Sequence, residues 1–208
     1  MKLYTTPISP NCRKVESTVH HLNLDVEIIN KDIMSGELNK EDYLQINPNG
    51  KVPSLEDGEF KLWESNAIMQ YLADTANAVE FFPQAPEARA NMVRWQLWGA
   101  LHFNRAVGTI CWESVAKPLF QLGDPIQSVI DATLDDFHFF ARVLNNHLEG
   151  RTFITGNQAT LADFSVGDHS TLALSDHSQV PLDEYVNIKS WYLELENVPA
   201  WAKTKPSL

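Results

Sequence analysis

The first 75 residues alternate between short apolar stretches and longer stretches with helical periodicity. β-branched and apolar residues are concentrated in four short stretches, as is typical of strands. Asp57-Gly58 separates the third stretch from the fourth and is typical of a tight hairpin turn. The pattern therefore predicts four strands, at Lys2–Thr5, Val26–Ile29, Val52–Leu55 and Glu59–Trp63.

Three helices are predicted between and after these strands. Apolar residues recur on one helical face over Cys12–Leu22, between the first two strands. A shorter helix is expected around Leu38–Ile46, and a third begins at Ser65. The resulting order, β-α-β-α-β-β-α, predicts a small α/β domain over residues 1–75.

The rest of the chain has helical rather than strand periodicity. Residues 76–86 contain small residues and two prolines, a composition typical of a linker. Thr160 and Asp163 have the spacing of a capping box at a helix start, with Asp in place of Glu. We therefore expect an all-helical domain over residues 87–208, with helices near Glu87–Val115, Pro125–Leu148, Thr160–Leu174 and Glu184–Glu196.

Charge and composition narrow the possible partners. The 208 residues carry a net charge of −11, which repels a phosphate backbone, so we expect no nucleic-acid partner. No apolar stretch approaches the roughly 18 residues of a membrane helix, and the N-terminus lacks a signal-peptide core. We therefore expect a cytoplasmic protein without a membrane partner. The two cysteines and seven histidines include no set at metal-ligand spacing, so no metal is expected.

The first strand runs into a Ser-Pro-Asn-Cys-Arg segment that begins at Ser9. Serine is a good helix cap, and Pro10 at the first helical position needs no N–H partner, so a simple helix start explains this pattern. The free N–H groups and the partial positive charge of the same helix end also favour a bound anion such as a thiolate. The local pattern is compatible with both interpretations.

Three segments together resemble the cytosolic glutathione transferases over essentially the whole chain. Ser-x-x-Cys-Arg-x-Val, from Ser9 to Val15, resembles the active-site turn of the serine-type theta, delta and phi classes. Its first three residues are also similar to the Thr-Pro-Asn turn of the bacterial nu-like class. Asn47–Pro53 and Trp63–Ser65 resemble the two glutathione-binding segments of the family. The resemblance implies a thioredoxin-like domain, a helical domain, a homodimer and a role in detoxification with glutathione as co-substrate.

The resemblance also implies a role for each segment. Ser9 would stabilise the glutathione thiolate, and the Val52–Pro53 bond would be cis, leaving the Val52 backbone free to pair with the tripeptide. Ser65 would hold the γ-glutamyl carboxylate, although it could simply be the N-cap of the third helix. The implied catalytic residues are Ser9 and Asn11, and the implied glutathione-binding residues are Lys40, Lys51, Val52, Pro53, Glu64 and Ser65.

The expected activity is conjugation of glutathione to small apolar electrophiles. A glutathione-dependent reductase of disulfides or peroxides is an alternative, suggested by Pro10-Asn11, and a non-catalytic binding module is another. Ser9 stands where a dithiol would have its leading cysteine, so a dithiol mechanism is not expected. Cys12 is expected to face the core, because it begins the apolar helical stripe that continues with Val15 and Val19. The expected electrophile pocket comprises Ile8, Pro10, His102, Arg105, Ala106 and Thr109, although packing explains the helical stripe equally well.

Overall fold

The computed structural model describes residues 1–206. These residues divide into two compact units, one formed by Met1–Gln84 with residues 199–206, the other by Ala85–Val198. The first unit is a thioredoxin-like α/β domain and the second is helical, so the expected fold class is confirmed. Residues 199–206 belong to the first unit, whereas the sequence pattern predicted that they are part of the helical domain.

A four-stranded mixed sheet forms the centre of the first unit. Its order is β2-β1-β3-β4, with β1 parallel to β2 and antiparallel to β3, and β3 antiparallel to β4. The third strand begins later than predicted, at Ser54, because Pro53 has no N–H to donate to the ladder. The strands are β1 (Lys2–Thr5), β2 (Glu27–Asn30), β3 (Ser54–Asp57) and β4 (Phe60–Trp63).

Helices cover the sheet of the first unit. The first begins two residues earlier than predicted, at Pro10, because Ser9 is its N-cap. The predicted Leu38–Ile46 helix is a 3₁₀ turn, Glu37–Asn39, followed by a single helical turn. The helices of this part are α1 (Pro10–His21), α2 (Glu41–Leu44) and α3 (Ser65–Thr75).

Two apolar clusters hold this unit together. Successive side chains of a strand point to opposite faces, so Leu3 and Tyr4 of β1 enter different clusters. α1 packs against α3, and their inward faces bury Val15 and Ile68 completely. Tyr4 packs with Leu38 and Tyr43 on the other side. The second cluster thereby holds α2 and the chain that leads into β3.

One long helical stretch opens the second unit, as the pattern over Glu87–Val115 predicted. It extends from Pro86 to Leu119, and two π-helical segments, Gly99–Phe103 and Trp112–Ala116, interrupt the α-helical geometry. Such π segments are often found near functional sites. Its α-helical parts are α4 (Pro86–Trp98), α5 (Asn104–Cys111) and α6 (Lys117–Leu119), and α7 (Gln127–His147) follows.

The predicted Thr160–Leu174 helix is two helices separated near Gly167. A Cβ at Gly167 would lie 2.8 Å from the backbone oxygen of Asp163 and 2.2 Å from Leu195 Cδ2, so the backbone leaves no room for a larger residue there. The predicted Glu184–Glu196 helix begins slightly later, at Val186. The remaining helices are α8 (Leu161–Val166), α9 (Ser170–Ala173) and α10 (Val186–Glu196) in the second unit, and α11 (Pro199–Lys203) in the first.

The predicted capping box at Thr160 is confirmed. Oδ2 of Asp163 accepts from the backbone N of Thr160 at 2.9 Å and from its hydroxyl at 3.0 Å. Oδ1 of Asp163 accepts from the backbone N of Ile154 at 2.8 Å and from Trp191 Nε1 at 2.9 Å. Burial raises the pKa of the Asp163 carboxyl, and these hydrogen bonds act in the opposite direction. The carboxyl group thus ties the start of α8 to α10.

None of the helices in residues 1–206 has the length and hydropathy needed to cross a bilayer.

Candidate active site

A cavity of about 230 Å³ lies in the first unit, where the start of α1, the chain before β3 and the start of α3 meet. The three segments identified in the sequence all contribute to it. Lys51 and Glu64 bring one positive and one negative side chain to a wall that is otherwise neutral. Its lining residues are Asn11, Asn47, Asn49, Lys51, Val52, Pro53, Glu64 and Ser65.

Ser9 caps the helix that begins beside this cavity. Its backbone is extended, with φ −86° and ψ 121°, and its Oγ accepts from the backbone N of Cys12 at 3.4 Å. A hydroxyl that accepts in this way can also donate its own hydrogen, and the Cys12 thiol is one of its neighbours. Ser9 itself is not among the eight lining residues. The cap therefore combines a hydroxyl donor with the free N–H groups of the helix end.

Ser65 is the first residue of α3, as predicted, so the alternative that it is the N-cap of this helix is wrong. The cap is Glu64, whose backbone has φ 72° and ψ 110° and whose carbonyl accepts from the N of Ile68 at 3.0 Å. A positive φ is costly for a residue with a Cβ and is typical of functional sites. This backbone turn leaves the Ser65 hydroxyl to donate to Asn11 Oδ1 at 3.0 Å. Two of the predicted site residues are thus bonded to each other.

Three side chains donate to a single carbonyl, that of Lys51. The Tyr43 hydroxyl and Asn47 Nδ2 each lie 2.7 Å from this oxygen, and the Ser54 hydroxyl lies 3.2 Å from it. Asn47 Oδ1 accepts from both the backbone N and the Nδ2 of Asn49, at 3.0 and 2.9 Å. These bonds hold the chain that leads into the Val52–Pro53 bond, which is cis as expected.

Asn47 and Asn49 line the cavity, and the sequence analysis did not select them as site residues. Both stand in an Asn-Pro-Asn-Gly run that reads as an ordinary turn. The resemblance therefore identified the Asn47–Pro53 segment as a binding segment, but the turn pattern gave no reason to assign a role to either asparagine side chain.

Comparison with known proteins gives a consistent family assignment. Residues 1–74 match the family "Glutathione S-transferase, N-terminal domain". Glutathione S-transferase 3 of Zea mays is 28% identical, with 98% of this chain and 92% of that protein aligned. Glutathione S-transferase F4 of Arabidopsis thaliana is 27% identical, over 96% of this chain and 82% of its own.

Solved structures of glutathione transferases superpose on this chain over nearly its full length. Glutathione transferase F7 from Populus trichocarpa superposes with a TM-score of 0.88 and 25% identity, covering 98% of this chain and 96% of its own. A theta class enzyme from Xanthomonas axonopodis pv. citri, with glutathione bound, gives a TM-score of 0.84 and 26% identity, covering 100% and 97%. Residues 1–74 thus match the N-terminal domain of the glutathione S-transferases, and the chain resembles these enzymes over nearly its full length.

Cys12 is completely buried, as predicted. Burial raises the pKa of its thiol, and hydrogen bonds with Thr5 and Ser9 act in the opposite direction. A thiol must ionise to act as a nucleophile, so burial works against a reactive Cys12. Within residues 1–206, no group of three or more His, Cys, Asp or Glu side chains is arranged to hold a metal ion.

The other predicted residues lie away from the cavity wall. Lys40 is exposed, precedes α2 and is not among the lining residues. Ile8 and Pro10 are half-buried in the turn that leads into α1.

The remaining four predicted residues belong to the second unit. The His102 ring stacks on Phe140, with centroids 4.9 Å apart. The Thr109 hydroxyl donates to the Arg105 carbonyl at 2.8 Å, and Ala106 is buried. Ala106 therefore packs within the helical unit, whereas His102 and Arg105 are exposed.

Proposed function

We propose that this chain is a glutathione S-transferase that binds glutathione in the cavity of its first unit and uses Ser9 to stabilise the thiolate. One observation carries the proposal: three segments far apart in sequence line one polar cavity beside a capped helix start. Conjugation of the thiolate to small apolar electrophiles is the proposed reaction.

The lining groups match the charged groups of a γ-glutamyl tripeptide. Lys51 would hold the glycine carboxylate, and Glu64 would accept from the γ-glutamyl ammonium. The N–H groups at the start of α3, including that of Ser65, would bind the γ-glutamyl carboxylate. The Val52 backbone would pair with the extended peptide in the manner of an added strand. Each charge of the ligand thus meets an opposite charge or a donor.

Thiol activation at Ser9 needs only ordinary interactions. A free thiol with a pKa near 8.5 is only about 3% ionised at pH 7, and lowering its pKa by about two units costs about 2.7 kcal/mol. A hydrogen bond to a charged group contributes about 1.5–3 kcal/mol. The helix end adds about 0.3–1 kcal/mol. The Ser9 hydroxyl and the α1 terminus together suffice without a general base.

Turnover of an aryl halide tests the role of Ser9. Ser9→Ala is expected to lower the rate about ten- to a thousandfold, since about 1.4–4 kcal/mol of transition-state stabilisation is lost. Asn11→Ala is expected to cost less. Ser190→Ala, at an exposed position of α10, is the matched control and should retain full activity. If Cys12→Ala abolishes turnover while Ser9→Ala does not, the enzyme is instead a cysteine-type thiol transferase.

A glutathione-dependent reductase is the second candidate, favoured by the position of Asn11 in the cavity wall. In that reaction the thiolate attacks a disulfide sulfur, a mixed disulfide forms and the other sulfur leaves as a thiolate. Conjugation and reduction share the activated thiol and differ only in the electrophile. Turnover of 2-hydroxyethyl disulfide exceeding that of an aryl halide would favour the reductase.

Binding is tested separately from catalysis. Glutathione is expected to raise the melting temperature saturably, because a ligand that binds only the folded state stabilises it. Lys51→Ala should weaken this shift, whereas Lys205→Ala, an exposed lysine beyond α11, should not. Equal rises in melting temperature for the parent and Lys51→Ala would show that glutathione binds elsewhere.

We also propose a cytoplasmic homodimer, on the strength of the family resemblance. Sedimentation at micromolar concentration should give twice the chain mass of 23.5 kDa. A monomer under these conditions would contradict the proposed assembly.

A further inference from the structure

A series of hydrogen-bonded side chains leads from Ser9 into the core of the first unit. Cys12 and Thr5 are both completely buried, and Glu16 is half-buried one helical turn beyond Cys12. The Cys12 thiol is hydrogen-bonded with the side chains of Thr5 and Ser9. The Thr5 hydroxyl in turn donates to Glu16 Oε1. The four side chains thus form one continuous series that ends at the Glu16 carboxyl.

The direction of each hydrogen bond in this series follows from the number of hydrogens available. A hydroxyl or a thiol has one hydrogen to donate. Thr5 gives its hydrogen to Glu16, so the contact between Thr5 and Cys12 must use the thiol hydrogen. The contact between Cys12 and Ser9 must then use the Ser9 hydrogen, because the thiol has none left. Ser9 Oγ accepts from the backbone N of Cys12 at 3.4 Å, which is compatible with this direction.

The Ser9 hydroxyl therefore has a partner inside the protein before any ligand arrives. Sulfur is a weak hydrogen-bond acceptor, and burial raises the pKa of Cys12 and so keeps this sulfur in a neutral thiol. A thiolate on a ligand is charged and is the stronger acceptor. The Ser9 hydrogen is thus released by Cys12 at little cost. A serine in place of Cys12 would be a stronger internal acceptor and would hold that hydrogen more tightly.

We propose that Cys12 is a positioning residue whose sulfur holds the Ser9 hydroxyl hydrogen weakly until the glutathione thiolate takes it. The inference rests on the proposed function, since it requires glutathione beside Ser9. It assigns no bond-making step to Cys12. Thr5 and Glu16 act one step further away, because they orient the thiol hydrogen away from Ser9.

The pKa of the thiol of bound glutathione, titrated by its ultraviolet thiolate absorbance, tests this role. Cys12→Ser should raise that pKa by about half a unit to one unit, because the stronger acceptor retains the Ser9 hydrogen. Cys12→Ala removes the internal acceptor and should leave the pKa at or below the parental value. Cys111→Ser, the same exchange at a buried cysteine of the second unit, is the matched control and should not change it.

Substitutions at Thr5 test the same series from its other end. Thr5→Val removes the acceptor of the thiol hydrogen, so the thiol can donate to Ser9 and the Ser9 hydrogen is released toward a ligand. The pKa of the bound thiol should then fall, and Thr5→Ser should restore it.

Two results would overturn the positioning role while leaving the glutathione site intact. One is an equal rise of the bound-thiol pKa in Cys12→Ser and Cys12→Ala, and the other is an unchanged pKa in Cys12→Ser or in Thr5→Val. If glutathione fails to raise the melting temperature of the parent, the proposed function falls and this inference falls with it.

Discussion

The guanidinium of Arg13 lies over the indole ring of Trp201, with Cζ 4.3 Å from the ring centroid. Nη2 of Arg13 also donates to the backbone carbonyl of Trp201 at 3.1 Å. Trp201 is completely buried, and Arg13 is 3% exposed. A planar guanidinium can stack and donate at the same time, which a lysine ammonium cannot. The pair fastens α11 to α1, and α11 is therefore part of the first unit.

Substitutions at this pair are expected to destabilise the first unit. Trp201→Ala should lower the free energy of unfolding by about 3–5 kcal/mol, as is usual for a buried tryptophan. Arg13→Lys should cost about 1–3 kcal/mol because the stacking and the fixed hydrogen bond are lost. Urea unfolding measures both. Arg94→Lys, an exposed arginine 5.6 Å from the Trp95 ring centroid, is the control and should stay within about 0.5 kcal/mol. If the urea unfolding midpoint of Arg13→Lys equals that of the parent, the stabilising role assigned to the Arg13–Trp201 pair is wrong.

The hydroxyl of Tyr43 should affect glutathione affinity without touching the reacting atoms. Tyr43→Phe removes one of three donors to the Lys51 carbonyl and keeps the packed ring. We expect the KM for glutathione to rise about two- to tenfold, corresponding to about 0.5–1.5 kcal/mol, with kcat unchanged at saturation. Steady-state kinetics with varied glutathione measure this split.

Tyr71→Phe is the matched control for that substitution. Its hydroxyl donates to Asp57 Oδ2 at 2.7 Å, at the β3–β4 hairpin and away from the cavity lining. It should leave both kinetic constants at their parental values. A fall in kcat of Tyr43→Phe at saturating glutathione would indicate a role beyond positioning.

Both cysteine thiols should be unreactive in the folded protein. Burial raises the pKa of Cys12, and it raises the pKa of Cys111 to about 12. Because the thiolate is the reactive form, a disulfide reagent should label neither residue until the chain is unfolded. Labelling kinetics with and without denaturant measure this. Rapid labelling of Cys12 in the folded protein, slowed by glutathione, would show instead that this thiol opens to the cavity.

The stability contribution of Glu113 should depend on pH. The backbone N–H of Ile126, 2.8 Å from Glu113 Oε2, and the Lys117 ammonium, at 2.9 Å, lower the pKa of this carboxyl. A carboxyl whose pKa is lower in the folded state stabilises the fold above its ordinary value of 4.5. That contribution is lost as the pH falls through the lower, folded-state pKa. Glu113→Gln should therefore reduce the melting temperature at neutral pH, with a difference that shrinks in acid.

Exposed Glu194→Gln controls for the loss of one negative charge. Its melting temperature should follow that of the parent at every pH. A Glu113→Gln difference that stays constant from pH 7 to well below the ordinary carboxyl pKa would contradict the electrostatic account.

Local pattern alone determined much of this protein. The strand and helix order, the Ser9 cap, the inward face of Cys12 and the Thr160 capping box follow from residues within about one helical turn of each other. Caps and side-chain periodicity depend on near neighbours, and these are visible in a sequence. The short Leu38–Ile46 helix was less well predicted, because so few residues carry a weak periodic signal.

The tertiary structure decided which distant residues meet. Ser65 bonds to Asn11 across 54 positions, and Arg13 bonds to Trp201 across 188. The three donors on the Lys51 carbonyl also come together only when α2 and β3 are packed around it. No local propensity encodes such contacts, because they depend on how whole elements pack and on which buried polar groups must find partners there. The sequence therefore determined the segments that form the site, and packing determined which atoms within them face one another.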